Sequence, residues 1–193
     1  MLSVNFTPFP TLNTSRLVLR NVTLNDAPEM QFMRSDERVM RYIDRERAKT
    51  IKEAEDFIQL INNLEKENNA ITWAICTPEN SKLQGTICLW NFKKPHFRAE
   101  VGYALHPDLQ GKGLMNEALN AVLHYGFNTL TLHSIEAIVN PDNEASIGIL
   151  EKKIILYEKL ITKRISTSME NFLIQPFTRC YHAILNLTLN ELT

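Results

Sequence analysis

The stretch from Ala99 to Val139 limits the possible folds more than any other part of this chain. Ala99-Glu-Val-Gly-Tyr-Ala-Leu105 is short and largely apolar, and it reads as a strand. His106-Pro-Asp-Leu-Gln110-Gly-Lys-Gly113 is rich in turn formers and opens a helix expected from Leu114 to about Asn128. In that helix Met115, Leu119, Val122 and Gly126 make one stripe, with Leu114, Ala118, Ala121 and Tyr125 beside it, so it should be well buried. Ser134-Ile-Glu-Ala-Ile-Val139 reads as a second strand. Strand, glycine loop, helix and strand form a βαβ unit, whose strands are expected to be parallel with a right-handed crossover.

The chain before this unit has a different pattern. Leu17-Val-Leu-Arg20 predicts a first strand, and Asn25 an N-cap with Pro28 in the first helical turn, where its missing N–H costs nothing. Residues 34–49 carry many charges of both signs, which suits a solvated helix-loop or a substrate-facing segment. Thr50-Ile-Lys-Glu53 fits a capping box, and Ile51, Ala54, Ile58 and Ile61 continue as an amphipathic helix. Ile71–Cys76 and Gly85–Trp90 flank a polar turn over Thr77–Gln84 and predict a hairpin, so the first half looks antiparallel. After Val139, Asn140-Pro-Asp-Asn143 breaks the strand and Glu144 to Lys152 reads as a helix. The 193 residues suffice for one domain and crowd two, and without a repeat or linker residues 1–193 are expected to form a single α/β domain.

Composition excludes several function classes. The 21 Lys+Arg against 22 Asp+Glu leave a net charge of −1, which argues against a general binder of nucleic acid or anionic membranes. No apolar run approaches the roughly 18 residues of a membrane helix. Cys76, Cys88 and Cys180 are odd in number and widely spaced, so they suggest neither a disulfide framework nor a metal pair. His96, His106, His124, His133 and His182 lack metal-ligand spacing, and no metal site is expected. With no secretory pattern at Met1–Pro10, the expectation is a cytoplasmic protein.

Gln110-Gly-Lys-Gly113 carries the chemistry. It lies between a strand end and a helix start, where backbone N–H groups are free and the helix dipole is positive. Glycines permit close approach of a phosphate, and Lys112 adds a charge. Taken alone, the same residues also suit a plain strand-to-helix turn. A Walker loop is absent, and a dinucleotide fingerprint fails because Asn116 stands where its third glycine is needed.

Glu100-Val-Gly-Tyr-Ala-Leu-His-Pro107 followed by Gln110-Gly-Lys-Gly-Leu-Met-Asn-Glu-Ala-Leu119 resembles the acetyl-CoA-binding motif of GNAT N-acetyltransferases. The family pattern Q/R-x-x-G-x-G/A falls on Gln110, Gly113 and Met115. Thr14-Ser-Arg-Leu-Val-Leu-Arg20 resembles the family's opening strand, and Asn140-Pro-Asp-Asn143-Glu-Ala-Ser146 its segment after the second βαβ strand. The subgroup most similar contains the ribosomal-protein N-terminal acetyltransferases. The resemblance implies a mixed, mostly antiparallel central sheet, flanked by helices and splayed between the Glu100–Leu105 and Ser134–Val139 strands. It implies acetyl-CoA as co-substrate, with pantetheine in the splay and pyrophosphate on the N–H groups of Gly111 to Met115. Leu105, Gln110, Gly111, Lys112, Gly113, Leu114, Met115, Asn140, Asn143 and Ser146 are the implied cofactor-binding residues.

Acetylation of an amine needs a base for the ammonium proton, a donor for the thioester oxygen and one for the departing thiolate. It needs no protein nucleophile and no metal. Glu100 is the candidate base, against the alternative of an ordinary exposed strand glutamate; strand alternation puts Gly102 on its face. Ser146 is the candidate donor to the sulfur, against a helix-capping serine, and Tyr157 a further candidate acid. Asn140 and Asn143 suit a turn and a helix cap as well as contacts to pantetheine. The chain departs from the family at Met115, where a small residue is usual, and after Lys153, where Ile154-Ile155 replaces Gly-Phe. The expected function is acetyl transfer to a primary amine, either a protein N-terminus or a small molecule, by direct attack in a ternary complex. A non-catalytic acyl-CoA-binding module or sensor on the same fold is the alternative. The resemblance also suggests a homodimer.

Overall fold

In the computed structural model, which describes Leu2 and residues 4–152, 176–177 and 180–186, eight strands lie side by side in one sheet. They are β1 (Leu12–Asn13), β2 (Val18–Asn21), β3 (Ile71–Thr77), β4 (Asn80–Lys93), β5 (Arg98–Leu105), β6 (Ser134–Val139), β7 (Pro176–Phe177) and β8 (Cys180–Asn186). Their spatial order is β1-β2-β3-β4-β5-β6-β8-β7. All neighbours are antiparallel except β5 and β6, the parallel pair of the βαβ unit. The helices are α1 (Ala27–Ser35), α2 (Glu37–Met40), α3 (Ile51–Lys66), α4 (Leu114–His124) and α5, which starts at 144 and is described to 152.

Strand side chains alternate between faces, so each strand serves two cores. One face presents Leu19, Ile71, Trp73, Ile75, Ile87, Leu89, Ala99, Val101 and Leu105, and α4 covers it with Leu114, Met115, Ala118, Leu119 and Val122. Leu150 of α5 and the N-terminal Val4 and Phe6 join the same cluster. The opposite face presents Ala74 and Cys76 to Met30 and Met33 of α1 and to Ala54, Ile58 and Ile61 of α3. Full burial of each large side chain contributes about 1.5–3 kcal/mol. Trp73, 0% exposed, also donates its indole N–H to Pro10 O at 2.7 Å, which fixes the N-terminal segment across the α4 face.

Several local expectations change. A two-residue turn at Pro78-Glu79, with Thr77 paired to Asn80, replaces the long polar turn, because β4 begins at Asn80 and its solvent-side residues can be polar. Thr23 and Asp26, not Asn25, start the first helical segment. The Asp26 carboxylate accepts from Thr23 N at 2.8 Å and pairs with Arg20 at 2.6 Å. Burial pushes the Asp26 carboxyl up, but the Arg20 and Thr23 bonds outweigh it and hold it below its usual range. Thr50 caps α3 by accepting from Glu53 N at 3.3 Å, whereas the Glu53 carboxylate accepts from Lys49 N, one residue outside the expected box. Ile51 stays 45% exposed at the start of α3. The long helix ends its α-form at His124 and continues as a π-helical turn over Tyr125–Thr129. Gly126 suits the close packing there, since a Cβ would sit 2.7 Å from the Ile135 Cδ1 of β6, which would have to move aside.

Candidate active site

The parallel ladder between β5 and β6 is short. Arg98 pairs with Ser134, Ala99 with Ile135 and Glu100 with Glu136, and there it stops. The outer edge of β5 stays paired with β4 as far as Leu105, and the outer edge of β6 stays paired with β8 as far as Val139. The facing edges of 101–105 and 137–139 therefore diverge, and their N–H and C=O groups have no ladder partner across the gap. Such groups need satisfying, and an extended amide-bearing chain lying between the strands can do so.

Glu100 is the last β5 residue before the divergence. Its side chain is on the face opposite α4 and is 9% exposed, so it is no ordinary surface glutamate. It accepts a hydrogen bond from the Asn91 side-chain amide. Asn91 reaches it because β4 shifts register between Trp90 and Lys93 and Asn91 takes a left-handed φ of 49°. The neighbouring Glu136 is paired with Arg98, so the two carboxylates do not share one cation. Beside Glu100 on the same face are Gly102, Cys88 and Trp90; a Cβ on Gly102 would lie 3.4 Å from Cys88 Sγ and 3.7 Å from Trp90 Nε1. Trp90 is 41% exposed and forms an open wall, while Trp73 is core. Burial pushes the Cys88 thiol up to about 11, with Gly102 O accepting from it; the charge of Arg45 acts in the opposite direction.

Ser146 lies on the other side of the gap. Its backbone N–H donates to Asn143 Oδ1 at 3.2 Å, which makes Asn143 the cap of α5, and the Asn140 side chain closes the preceding turn by accepting from Asp142 N at 2.9 Å. The Ser146 hydroxyl is not a cap: it is buried and 2.7 Å from the Tyr103 hydroxyl. Tyr103 alternates with Glu100 and Gly102, so it faces the α4 side. Burial pushes its phenol up, only partly offset by the Ser146 bond.

At the far end of β5 the anion loop has the expected form. Gly111 and Gly113 take φ of +73° and +75°, a region that favours glycine. Gly113 caps α4 without any side-chain hydrogen bond, so the first N–H groups of the helix point outward. Gln110 donates to Leu105 O at 3.1 Å and ties the loop to the strand end. Met115 is turned into the core, 6% exposed, so its bulk lies away from the loop and its backbone N–H is unobstructed. Arg16 donates to Lys112 O at 3.1 Å and adds a second cation beside Lys112. The Arg16 guanidinium is held by Glu117 at 2.7 Å, and Glu117 also accepts from Thr14 Oγ1 at 2.6 Å, Ser15 Oγ at 3.0 Å and Arg16 N at 2.9 Å. Burial raises the Glu117 carboxyl, but these donors together overcome it and hold it at about 2.

The structure thus places Glu100 and Leu105 on β5, Gln110, Gly111, Lys112, Gly113, Leu114 and Met115 in the loop and first helical turn that follow it, and Asn140, Asn143 and Ser146 just after β6, the strand from which β5 diverges. Tyr157 and the departure after Lys153 lie outside the described residues. Sequence reasoning missed Asn91, Tyr103, Arg16 and Glu117 as parts of the site. Thr14-Ser-Arg16 and Glu117 stand in the quoted segments, but nothing local shows that they touch. A groove of about 600 Å³ between residues 11–15 and the helical stretch bearing Glu117, His124 and Tyr125 is lined by none of the expected site residues. Among the described residues no cluster of three or more His, Cys, Asp or Glu could hold a metal ion, and no helix is long and apolar enough to cross a membrane.

Residues 16–153, more than half of the chain, match the acetyltransferase (GNAT) domain. The chain belongs to the GNAT acetyltransferase family. It is 38% identical over 144 residues to the uncharacterised N-acetyltransferase YoaA of Bacillus subtilis (strain 168), covering 75% of this chain and 81% of that one. It is 32% identical over 94 residues, 48% of each chain, to a [ribosomal protein uS5]-alanine N-acetyltransferase of Escherichia coli (strain K12). The solved structure of spermidine N-acetyltransferase from Vibrio cholerae, in complex with CoA and spermine, superimposes with a TM-score of 0.68 at 21% identity, covering 90% of this chain and 96% of that one. The GNAT chain described here is accordingly an N-acetyltransferase, and the mostly antiparallel sheet with flanking helices is the family fold.

Proposed function

We propose that this GNAT protein transfers acetyl from acetyl-CoA to a primary amine by direct attack in a ternary complex, with residues 1–193 acting as one domain. The observation that carries the reading is the sheet's divergence after Glu100–Glu136, with a buried carboxylate at its apex and, in the loop after the same strand, a glycine-capped helix N-terminus that no side chain covers with a cap bond. Pyrophosphate rests on the N–H groups of Gly111 to Met115, with Lys112 and Arg16 adding charge. Pantetheine lies between β5 and β6, where Leu105, Asn140 and Asn143 border it and the unpaired backbone groups bond its amides.

The acceptor approaches from the face of Trp90 and Gly102. Glu100, fixed by Asn91, takes the ammonium proton directly or through a water. The amine nitrogen attacks the thioester carbon and the C–N bond forms; as the C–S bond breaks, the nitrogen gives up its second proton to the departing thiolate, which leaves as the CoA thiol while Ser146 donates a hydrogen bond to the sulfur from the opposite side of the gap. Backbone N–H groups of the open strand edge stabilise the oxygen as charge develops on it. Relatives carry names for acetylation of a ribosomal-protein alanine or of spermidine, and the mixed charges of residues 34–49 suit either a peptide N-terminus or a small amine.

Glu100→Gln tests the reading. Loss of a general base should lower kcat by about 10²–10⁴-fold while acetyl-CoA binding is kept. The assay follows thiol release against a panel of small amines and peptides with varied N-termini. Full rate across the pH range in the variant would show that Glu100 is not the base.

A further inference from the structure

The hydroxyl pair across the gap has a consequence for the leaving group. Tyr103 lies in the half of β5 beyond its ladder with β6 and Ser146 in the first turn of α5, and their oxygens are 2.7 Å apart. Each hydroxyl has one hydrogen. When Ser146 donates to Tyr103, its hydrogen is spent and it offers a sulfur only lone pairs. When Tyr103 donates to Ser146, the serine hydrogen is free to point elsewhere. Burial keeps the Tyr103 phenol neutral, so the donor is present throughout the working pH range. A thiolate arriving at Ser146 selects the second orientation, because a chain of donors ending on an anion is polarised along its length.

We propose that Tyr103 is a positioning residue for the departing thiol: by donating to Ser146 Oγ it turns the Ser146 hydrogen toward the sulfur of CoA. This rests on the reading above in which Ser146 meets that sulfur. No bond in the reacting groups is made or broken by Tyr103, and its hydrogen stays on the phenol oxygen.

The test compares binding of CoA and desulfo-CoA by calorimetry for the wild type, Tyr103→Phe, Ser146→Ala and the double variant. The ratio of the two affinities within one protein reads the bond to sulfur and cancels general loosening of the site. Wild type should prefer CoA by about threefold to tenfold, the worth of one hydrogen bond. Ser146→Ala should bring the ratio close to one. Tyr103→Phe should lose a large part of the preference while leaving desulfo-CoA affinity unchanged, and kcat should fall with KM for acetyl-CoA nearly constant. In the Ser146→Ala background Tyr103→Phe should have no further effect. Weakening of both ligands equally by Tyr103→Phe would make the tyrosine a packing residue and overturn the proposal, as would an unchanged ratio or a loss that persists without Ser146. A wild-type ratio in Ser146→Ala would instead remove Ser146 from the sulfur, and the Tyr103 proposal would fall with it.

Discussion

Glu117→Gln should destabilise the protein by an amount that depends on pH in a defined way. Glu117 stands in the first turn of α4, where the helix dipole favours a negative charge. It also gathers Thr14, Ser15 and Arg16, residues roughly a hundred positions earlier, onto that turn. Hydrogen bonds to a charged acceptor contribute about 1.5–3 kcal/mol each, and they are not additive when they share one carboxylate. Glutamine keeps one acceptor oxygen but turns an N–H₂ toward Arg16. With part of the cluster open to solvent, the net cost should be about 2–4 kcal/mol, or a fall in Tm of about 5–15 °C for a chain of this size. The sign with pH follows from the carboxyl being held at about 2, well below its ordinary value of 4.5. Its contribution is complete above about pH 4.5 and is lost as the pH falls through about 2. The gap between wild type and Glu117→Gln should therefore be flat from pH 8 to 5 and less than half as large by about pH 3. Urea unfolding followed by circular dichroism at pH 7 and pH 3 measures it. A gap equal at both pH values, or none at pH 7, would refute the account of Glu117 as the charged clasp of the loop.

Gly113→Glu should abolish CoA binding in calorimetry: a side chain at φ +75° costs about 1–2 kcal/mol, and a carboxylate there opposes the phosphates for which the loop is bare. Retained tight binding would refute the anion-loop assignment. Cys88, with its thiol pushed to about 11, should be alkylated far more slowly at pH 8 than a free thiol, as mapped by peptide mass spectrometry of the folded protein. Labelling at the rate of a small-molecule thiol would show that the β4–β5 face is more open than described.

Much of the architecture was legible from short-range pattern. The bounds of β6 at Ser134–Val139 and the start of α4 after Gly113 follow from β-rich runs and from glycines that tolerate a left-handed φ. The left-handed glycines of the loop after β5 were legible for the same reason, since that conformation is a property of the loop's own backbone. The errors fell where competing local signals are equal in strength. Asn25 is a good cap type, but Thr23 takes the cap position and Asp26 bonds back to its N–H while Arg20 of β2 holds the Asp26 carboxylate. Met115 looked like an obstacle in a linear motif, but helical rotation turns its side chain into the core.

The sequence by itself determined the strand-loop-helix-strand unit, the glycine turn inside it and the placing of Glu100 and Gly102 on one face. Periodicity and backbone freedom are carried by contiguous residues, so one strand of letters suffices to read them. Only the tertiary structure decided where the parallel ladder stops, that Asn91 holds Glu100, that Arg16 and Glu117 clasp the loop across 101 residues, and that Tyr103 meets Ser146 across 43. Those contacts depend on sheet order and on the face each side chain takes, and both are settled by burying two apolar faces of one sheet together. The proposed site lies between two strands that neighbour one another only because α4 carries the chain back across the sheet.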